Sequence, residues 1–343
     1  MIINKAKLLE ALEIVKPGLA NKELIEQSTS FAFINGKVVT YNDEISISHP
    51  VEGLELEGAI LAENLYKFLG KIKKEEVELS VEGNEIVLTS GRSKAGLTLQ
   101  SEVKLPLDEE VATIGKWKTL PADFLKFVSF AMTSCGKEMS KPILTCVHVD
   151  ESGVIESTDS NRITRCHLES GMPVKSFLLP ATSAADMIKL KPNKISEGKG
   201  WIHFKTEAGT IISCRVFEDA FPNCEPHMKV KGTEVTFPTS IEECLDRAMV
   251  FSKRDHILDE SITIIIQSKK LTLKAKSTSG WFEETLNIKF DAEPITFEIT
   301  PYLLKGILKE TQSFIFSLNK LKFAGEGWEH IMALRVLPTK EKQ

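Results

Sequence analysis

The sequence predicts an α+β fold of three tandem units, each with two helices packed on antiparallel sheets. Three observations predict it. Amphipathic helix patterns recur at Lys5–Lys16, Ala122–Thr133 and Ile241–Lys253, and second helices begin near Ala62, Ala181 and Thr300. Alternating strands, a small polar corner and a β-hairpin accompany each helix pair in the same order. Self-similarity at a spacing of about a hundred residues marks triplication of a domain rather than a short-period solenoid.

In the first unit, Leu8, Ala11, Leu12 and Val15 recur at helical spacing until Pro17-Gly18 stops the helix. Strand patterns follow at Ser30–Ile34, Lys37–Thr40 and Ile45–Ile47, the first two joined by an Asn35-Gly36 turn. A helix is expected from Ala62 to Lys73, then strands around Val77–Val81, Ile86–Leu88 and Gly96–Leu99. Ser101–Trp117 reads as a linker, polar and acidic at Asp108-Glu109-Glu110. In the second unit, strands are expected at Ile143–Val149 and Val154–Thr158, with a hairpin over Trp201–Val216. Phe221-Pro222-Asn223-Cys224-Glu225-Pro226 forms a rigid exit. The third unit opens on Ser240-Ile241-Glu242-Glu243, which fits a capping box. Alternating Ile262, Ile264 and Ile266 precede Leu271 and Leu273; a helix at Tyr302–Lys309, a turn at Asn319-Lys320 and a last strand over Ile331–Val336 complete it. The units are bounded at 1–104, 118–229 and 230–343, with 105–117 as linker.

Composition narrows the functional classes. With 343 residues, 42% hydrophobic and 27% charged, the chain has room for several cores and an ordinary globular balance. No apolar run approaches a membrane span, and the amino terminus leads straight into a helix pattern, so a cytoplasmic location without membrane contact is expected. Six cysteines (Cys135, Cys146, Cys166, Cys214, Cys224, Cys244) lack CxxC spacing and sit in apolar stretches, the pattern of buried thiols in a reducing compartment. Neither cysteines nor histidines cluster as metal ligands, so no metal or cofactor is expected.

The net charge of −5 does not by itself point to nucleic acid, but its distribution does. On the second helix of the first unit, Leu65, Phe68, Leu69 and Ile72 form the apolar side. Lys67, Lys71 and Lys74 follow at i, i+4 and i+7 and would share one face. Like charges at that spacing repel unless a polyanion neutralises them. The third unit repeats the pattern with Lys305 and Lys309, the second less regularly with Lys189 and Lys191. Lys5, Lys16, Lys126, Lys253 and Arg254 add charge on or beside the first helices, and Lys22 in the loop after one of them. Acidic residues fall mainly in strands, turns and the linker. Lysines spread over helices contact phosphates without reading bases.

Catalytic chemistry has little support. Gly91-Arg92-Ser93 between two strands reads as a bulge. Thr158-Asp159-Ser160-Asn161-Arg162 is a tight polar corner with one carboxylate, too few for a metal-dependent nuclease, and Asx-turn chemistry accounts for it. Tyr41-Asn42-Asp43-Glu44 and Ser277-Thr278-Ser279-Gly280 occupy the matching corners of the other units. Walker, GxSxG, HExxH and dinucleotide fingerprints are absent from the sequence. The expectation is a non-enzyme.

Several short segments, in order, resemble the bacterial DNA polymerase III β subunit, the sliding-clamp family. They are Ser90-Gly91-Arg92-Ser93 with Leu97, Pro142-Ile143-Leu144, Thr158–Ile163, Phe221-Pro222-Asn223 and Arg247-Ala248-Met249. The resemblance spans all three units. It implies three DNA-clamp domains per chain and a head-to-tail homodimeric ring, with lysine-bearing helices around double-stranded DNA. It further implies an ATP-dependent clamp loader and tethering of DNA polymerase and other replication or repair proteins through short peptides, without catalysis.

The resemblance also places sites. The DNA-facing set would be Lys22, Lys67, Lys71, Lys74, Lys126, Lys189, Lys191, Lys253, Arg254, Lys305 and Lys309. A partner-peptide pocket would use Leu144, Thr158, Ser160, Arg162, Ile163, Pro222, Met332, Ala333 and Leu334. The ring interface would pair Ala95 and Leu97 with Val250 and Phe251. This chain departs from the family pattern at Ser160-Asn161, where Gly-His is usual, at Pro226-His227, and at Met332-Ala333-Leu334-Arg335. The departures raise an alternative: a non-ring scaffold or decoy that binds clamp partners.

Overall fold

The computed structural model describes residues 1–111 and 114–335. They pack as two compact units. One holds Met1–Ser129, His148–Gly153 and Ser170–Asp219; the other holds Phe130–Val147, Val154–Glu169 and the chain from Ala220. The middle repeat contributes strands to two different sheets.

In the first unit, an eight-stranded sheet runs Gly58–Leu61, Ser30–Ile34, Lys37–Tyr41, Ile45–Pro50, Ile211–Arg215, Trp201–Lys205, Lys194–Glu197 and Lys118–Thr119. Strands of the first and middle repeats meet where Ile45–Pro50 pairs antiparallel with Ile211–Arg215. In the second unit the equivalent junction pairs Arg162–His167 of the middle repeat with Trp328–Ala333 of the third. Each unit also holds a four-stranded antiparallel sheet. One orders Ile2–Asn4, Glu76–Glu82, Glu85–Ser90 and Ser93–Thr98; the other orders Gly280–Asn287, Lys270–Ser277, Ile262–Gln267 and Ile295–Ile299.

Seven α-helices are described: α1 (Lys5–Val15), α2 (Ala62–Lys71), α3 (Phe124–Ala131), α4 (Ala181–Leu190), α5 (Glu225–Met228), α6 (Ile241–Phe251) and α7 (Pro301–Leu308). Helix α1 buries Leu8, Ala11, Leu12 and Val15, the stripe its periodicity predicts. In the third repeat, Ile241, Cys244, Leu245 and Ala248 of α6 and Leu303, Leu304 and Ile307 of α7 cover Ile262, Ile264, Leu271 and Leu273. Burial of these apolar side chains is the main driving force for that unit.

Several local expectations are corrected. Helix α2 ends at Lys71 rather than Lys73; Ile72 is already extended, and the Lys5 ammonium donates to its carbonyl at 2.8 Å. Pro142–Thr145 is a 3-10 turn, not strand, because Pro142 fixes φ and the Thr145 hydroxyl donates to its carbonyl at 2.7 Å; the strand is Cys146–Val149. The Ser240 side chain makes no cap bond, since its backbone (φ −78°, ψ 2°) departs from the extended N-cap form. Gly91-Arg92 is a two-residue hairpin turn closed by Ser90 and Ser93, not a bulge, with Gly91 at φ +64°. The turn expected at Asn319-Lys320 lies one residue earlier, on Leu318-Asn319. Of the last expected strand, Val336 lies outside the described residues.

The linker packs more firmly than its acidic character suggested. Val103, Leu105, Leu107 and Val111 lie on a cluster with Tyr41 and Trp201. Arg215 reinforces it from above the Trp201 ring, 4.7 Å from the centroid, with ion pairs to Glu110 at 3.1 Å and Asp43 at 2.7 Å.

Candidate functional site

Helix α2 presents Lys67 and Lys71 to solvent opposite buried Leu65 and Leu69, while Phe68 and Ile72 are half-buried. Lys67 pairs with Glu63 one turn back, which holds that carboxyl below its ordinary range; Lys71 has no carboxylate partner among the described residues. Lys74 does not share this face. The helix ends before it, and its stem lies so close to Gly91 that a Cβ there would meet Lys74 Cε at 2.9 Å. Helix α7 carries Lys305, paired with Asp246 of α6, and exposed Lys309 at its C-cap.

The other cations are engaged differently. Lys189 pairs with Asp186 at 2.7 Å, and Lys191 is the left-handed residue that ends α4. The Lys126 ammonium lies 5.3 Å from the Phe127 ring centroid, and Lys22 is exposed in the loop after α1. Lys253 pairs with buried Glu260 at 3.1 Å, and Arg254 donates to the carbonyls of Lys253 and Lys276, both at 2.8 Å. Those last two cations stabilise a loop, an internal use that helical spacing alone does not reveal.

The polar corners of the first two repeats are the same device. Asn42 Oδ1 accepts from the N–H groups of Glu44 and Ile45, and Asp159 Oδ1 from those of Asn161 and Arg162. The next residue, Asp43 or Ser160, takes positive φ, +74° and +75°. Glycine would suit that conformation better than Ser160. In the middle repeat the corner is enlarged: Arg162 Nε donates to Asp159 Oδ2 at 2.9 Å, and the two side chains are only 9% and 12% exposed. Thr158 Oγ1 donates to the Arg162 carbonyl at 2.7 Å and accepts from the Ser160 N–H at 3.1 Å.

This corner walls a cavity of about 370 Å³ within the second unit. Of the nine sequence-predicted pocket residues, Leu144, Ser160 and Arg162 line it, and Thr158 braces it from behind. Ile163 instead packs with Cys224, Met228 and Ile331. Met332 and Leu334 are buried in the third-repeat core, and Pro222 and Ala333 are exposed outside the lining. Sequence reasoning missed the other wall, where Ile257, Leu258, Tyr302 and Leu303 supply apolar surface and Lys137 and Lys141 supply charge. The one sequence signal for it was an Ile-Leu pair directly after a charged loop.

A neighbouring groove of about 500 Å³ includes Thr133, Arg162, Lys305, Lys309 and His330. His330 is buried; its Nδ1 lies 2.8 Å from Thr164 Oγ1, which lies 2.6 Å from Ser134 Oγ. Burial, and secondarily the Arg162 charge, pull its pKa from 6.5 down to about 3. The unfolded chain therefore takes up this proton first, and stability present above pH 6.5 is lost as pH falls toward 3. Between pH 7 and pH 5 the loss should be about 2 kcal/mol. Urea unfolding at the two pH values checks this, and a His330→Gln variant should lack that increment.

The predicted interface residues sit on two strand edges or beside them. Ala95 and Leu97 belong to Ser93–Thr98, the edge strand of one four-stranded sheet. Val250 is 61% exposed on α6, and Phe251 stacks on Phe282 of Gly280–Asn287, the edge strand of the other, with centroids 6.2 Å apart. The cysteines are buried, and burial pushes the thiols of Cys146, Cys224 and Cys244 up to about 11 and that of Cys135 to about 12, which suppresses thiolate chemistry. Among the described residues no cluster of His, Cys, Asp or Glu is arranged to hold a metal, and no helix is long and apolar enough to cross a membrane.

Repeated helix pairs on antiparallel sheets, joined repeat to repeat by strand pairing, define the class: this is the DNA sliding-clamp fold. The particular likeness is to the DNA polymerase III β subunit. The Pseudomonas aeruginosa protein matches 98% of this chain and 100% of its own at a TM-score of 0.86 and 15% identity. The Streptococcus pneumoniae protein matches 98% of this chain and 99% of its own, with TM-score 0.85 and 18% identity. The Thermotoga maritima protein has the same coverage and identity at TM-score 0.80. No protein-family model matches the chain, and no curated protein matches it by sequence.

Proposed function

We propose that this chain is a DNA sliding clamp, a non-catalytic processivity factor that encircles duplex DNA and tethers a DNA polymerase. The observation that carries this is the fold likeness to DNA polymerase III β subunits, which runs over the whole chain rather than one domain. In this reading the three repeats, 1–104, 118–229 and 230–343, are clamp domains. Two chains closing head to tail make a six-domain ring, loaded in the cytoplasm by an ATP-driven loader. The exposed lysines of α2 and α7 face DNA and contact phosphates irrespective of sequence. The cavity walled by Leu144, Ser160 and Arg162 takes a short apolar segment of the polymerase or another replication protein, with Lys137 and Lys141 favouring acidic flanks.

The test is topological. After loading, the protein should stay on closed circular DNA through a high-salt wash and leave once the circle is cut. Equal retention on circular and linear DNA would mean that it binds DNA without encircling it.

A further inference from the structure

The third repeat carries an open groove of about 870 Å³, apart from the candidate pocket and from the lysine faces of α2 and α7. It lies against the four-stranded sheet of Gly280–Asn287, Lys270–Ser277, Ile262–Gln267 and Ile295–Ile299. Ile262, Ile264, Leu271 and Leu273 point to one face of that sheet, where α6 and α7 cover them. Lys274 and Lys276 alternate with the two leucines and so line the other, uncovered face. Trp281 shares it, because it is the direct cross-strand partner of Lys276.

Two features of the groove favour a ligand. Trp281 is 71% exposed, and its indole has no ring or hydrogen-bond partner among the described residues. Its large apolar surface is therefore free to be covered. Arg254 Nη2 donates to the Lys276 carbonyl at 2.8 Å, which draws two cationic residues together. Neither side chain has a carboxylate partner among the described residues. Neutral carbonyls hold the guanidinium without cancelling its charge, so the two cations repel until an anion sits between them. Their neighbours are neutralised locally, Lys253 by Glu260 at 3.1 Å and Lys274 by Glu283 at 2.9 Å.

We propose that this groove binds single-stranded nucleic acid, with one base stacked on Trp281 and adjoining phosphates on Lys276 and Arg254. An indole accepts the face of any base, and a base in an open strand is free to stack on it, whereas a duplex keeps its bases inside. The lining as a whole sets four cations (Lys253, Arg254, Lys274, Lys276) against three carboxylates (Asp255, Glu283, Glu298). A surplus of one positive charge suits phosphodiesters, which carry one negative charge each, and disfavours the concentrated charge of a nucleoside triphosphate. The contacts read no base identity. The groove sits on the side of the sheet away from α6 and α7, so it is separate from the lysines assigned to duplex DNA, and it does not depend on ring closure.

A fluorescein-labelled oligothymidylate should bind the parent protein in a polarisation titration, and Trp281→Ala should weaken it about tenfold, the loss of one stacked base. Trp281→Phe should restore most of the affinity, since a ring is what the base needs. Lys276→Ala should lower the slope of log affinity against log salt by about 0.7, one single-strand phosphate contact. Both positions are exposed, so these variants should melt like the parent and keep its retention on closed circular DNA. Unchanged affinity in Trp281→Ala would overturn the proposal, as would displacement of the label by polyglutamate as readily as by unlabelled oligothymidylate. A Lys67→Glu/Lys71→Glu/Lys309→Glu variant should still bind the oligonucleotide; loss there, with Trp281→Ala unaffected, would assign the binding to the helices instead. Failure of topological retention with this titration intact would sink the clamp and leave the groove standing.

Discussion

Changing Lys67, Lys71 and Lys309 together to Glu is expected to reduce retention on closed circular DNA to background. These residues project from α2 and the end of α7, and Lys71 and Lys309 have no carboxylate partner among the described residues. Each phosphate contact adds about 0.9 to the slope of log affinity against log salt, so losing three should flatten that slope by roughly 3 units. The variant should melt like the parent, since none of the three is buried. Lys253→Ala and Arg254→Ala should behave oppositely. Their charges hold Glu260 and backbone carbonyls, so thermal stability should fall more than DNA retention. Retention after loading, a salt titration and a melt separate the two outcomes, and undiminished retention of the triple variant would place DNA elsewhere.

Arg162→Ala is expected to cost about 3 kcal/mol of stability and to abolish binding of a polymerase-derived peptide. Removing one partner of a buried ion pair leaves the other charge uncompensated, typically at about 3–5 kcal/mol. The lower figure applies because Asp159 Oδ1 still accepts two backbone N–H groups. Arg162→Lys should recover part of the stability but less of the binding, since an ammonium cannot both reach Asp159 and keep the planar guanidinium wall. Urea unfolding and fluorescence polarisation with a labelled peptide give the two readouts. Normal peptide affinity in Arg162→Ala would remove the cavity from the partner site.

Much of the architecture was legible because it is local. Helix α1 follows from the spacing of Leu8, Ala11, Leu12 and Val15. The first hairpin follows from Asn35-Gly36, both of which take the positive φ that a two-residue turn needs. The Asx corner at Asp159 was likewise readable from residue types. Some errors arose where a distant group intervened. The pattern from Ala62 continues past Lys71, but the helix stops because Lys5 and the strand starting at Glu76 claim the backbone there. Val103, Leu105 and Leu107 alternate as a strand would, and the acidic residues after them obscured that the segment has an apolar surface to lie on.

The candidate pocket was half legible. Leu144, Ser160 and Arg162 could be placed through a family resemblance, whereas Ile257, Leu258, Tyr302 and Leu303 could not, because they are remote in sequence and unremarkable singly. The lysines show the same division. Spacing identified a basic helix face, but only side-chain partners separated Lys71 and Lys309, free among the described residues, from Lys253 and Arg254, which stabilise their own loop.

The sequence by itself determined the alternation of helices and strands and the turn chemistry, because each depends on residues within a few positions of one another. Tertiary structure alone decided which strands join the repeats, which edges stay open and which cations remain free. Those depend on register and burial between segments up to 170 residues apart, such as the pairing of Arg162 with Met332, which no local pattern encodes.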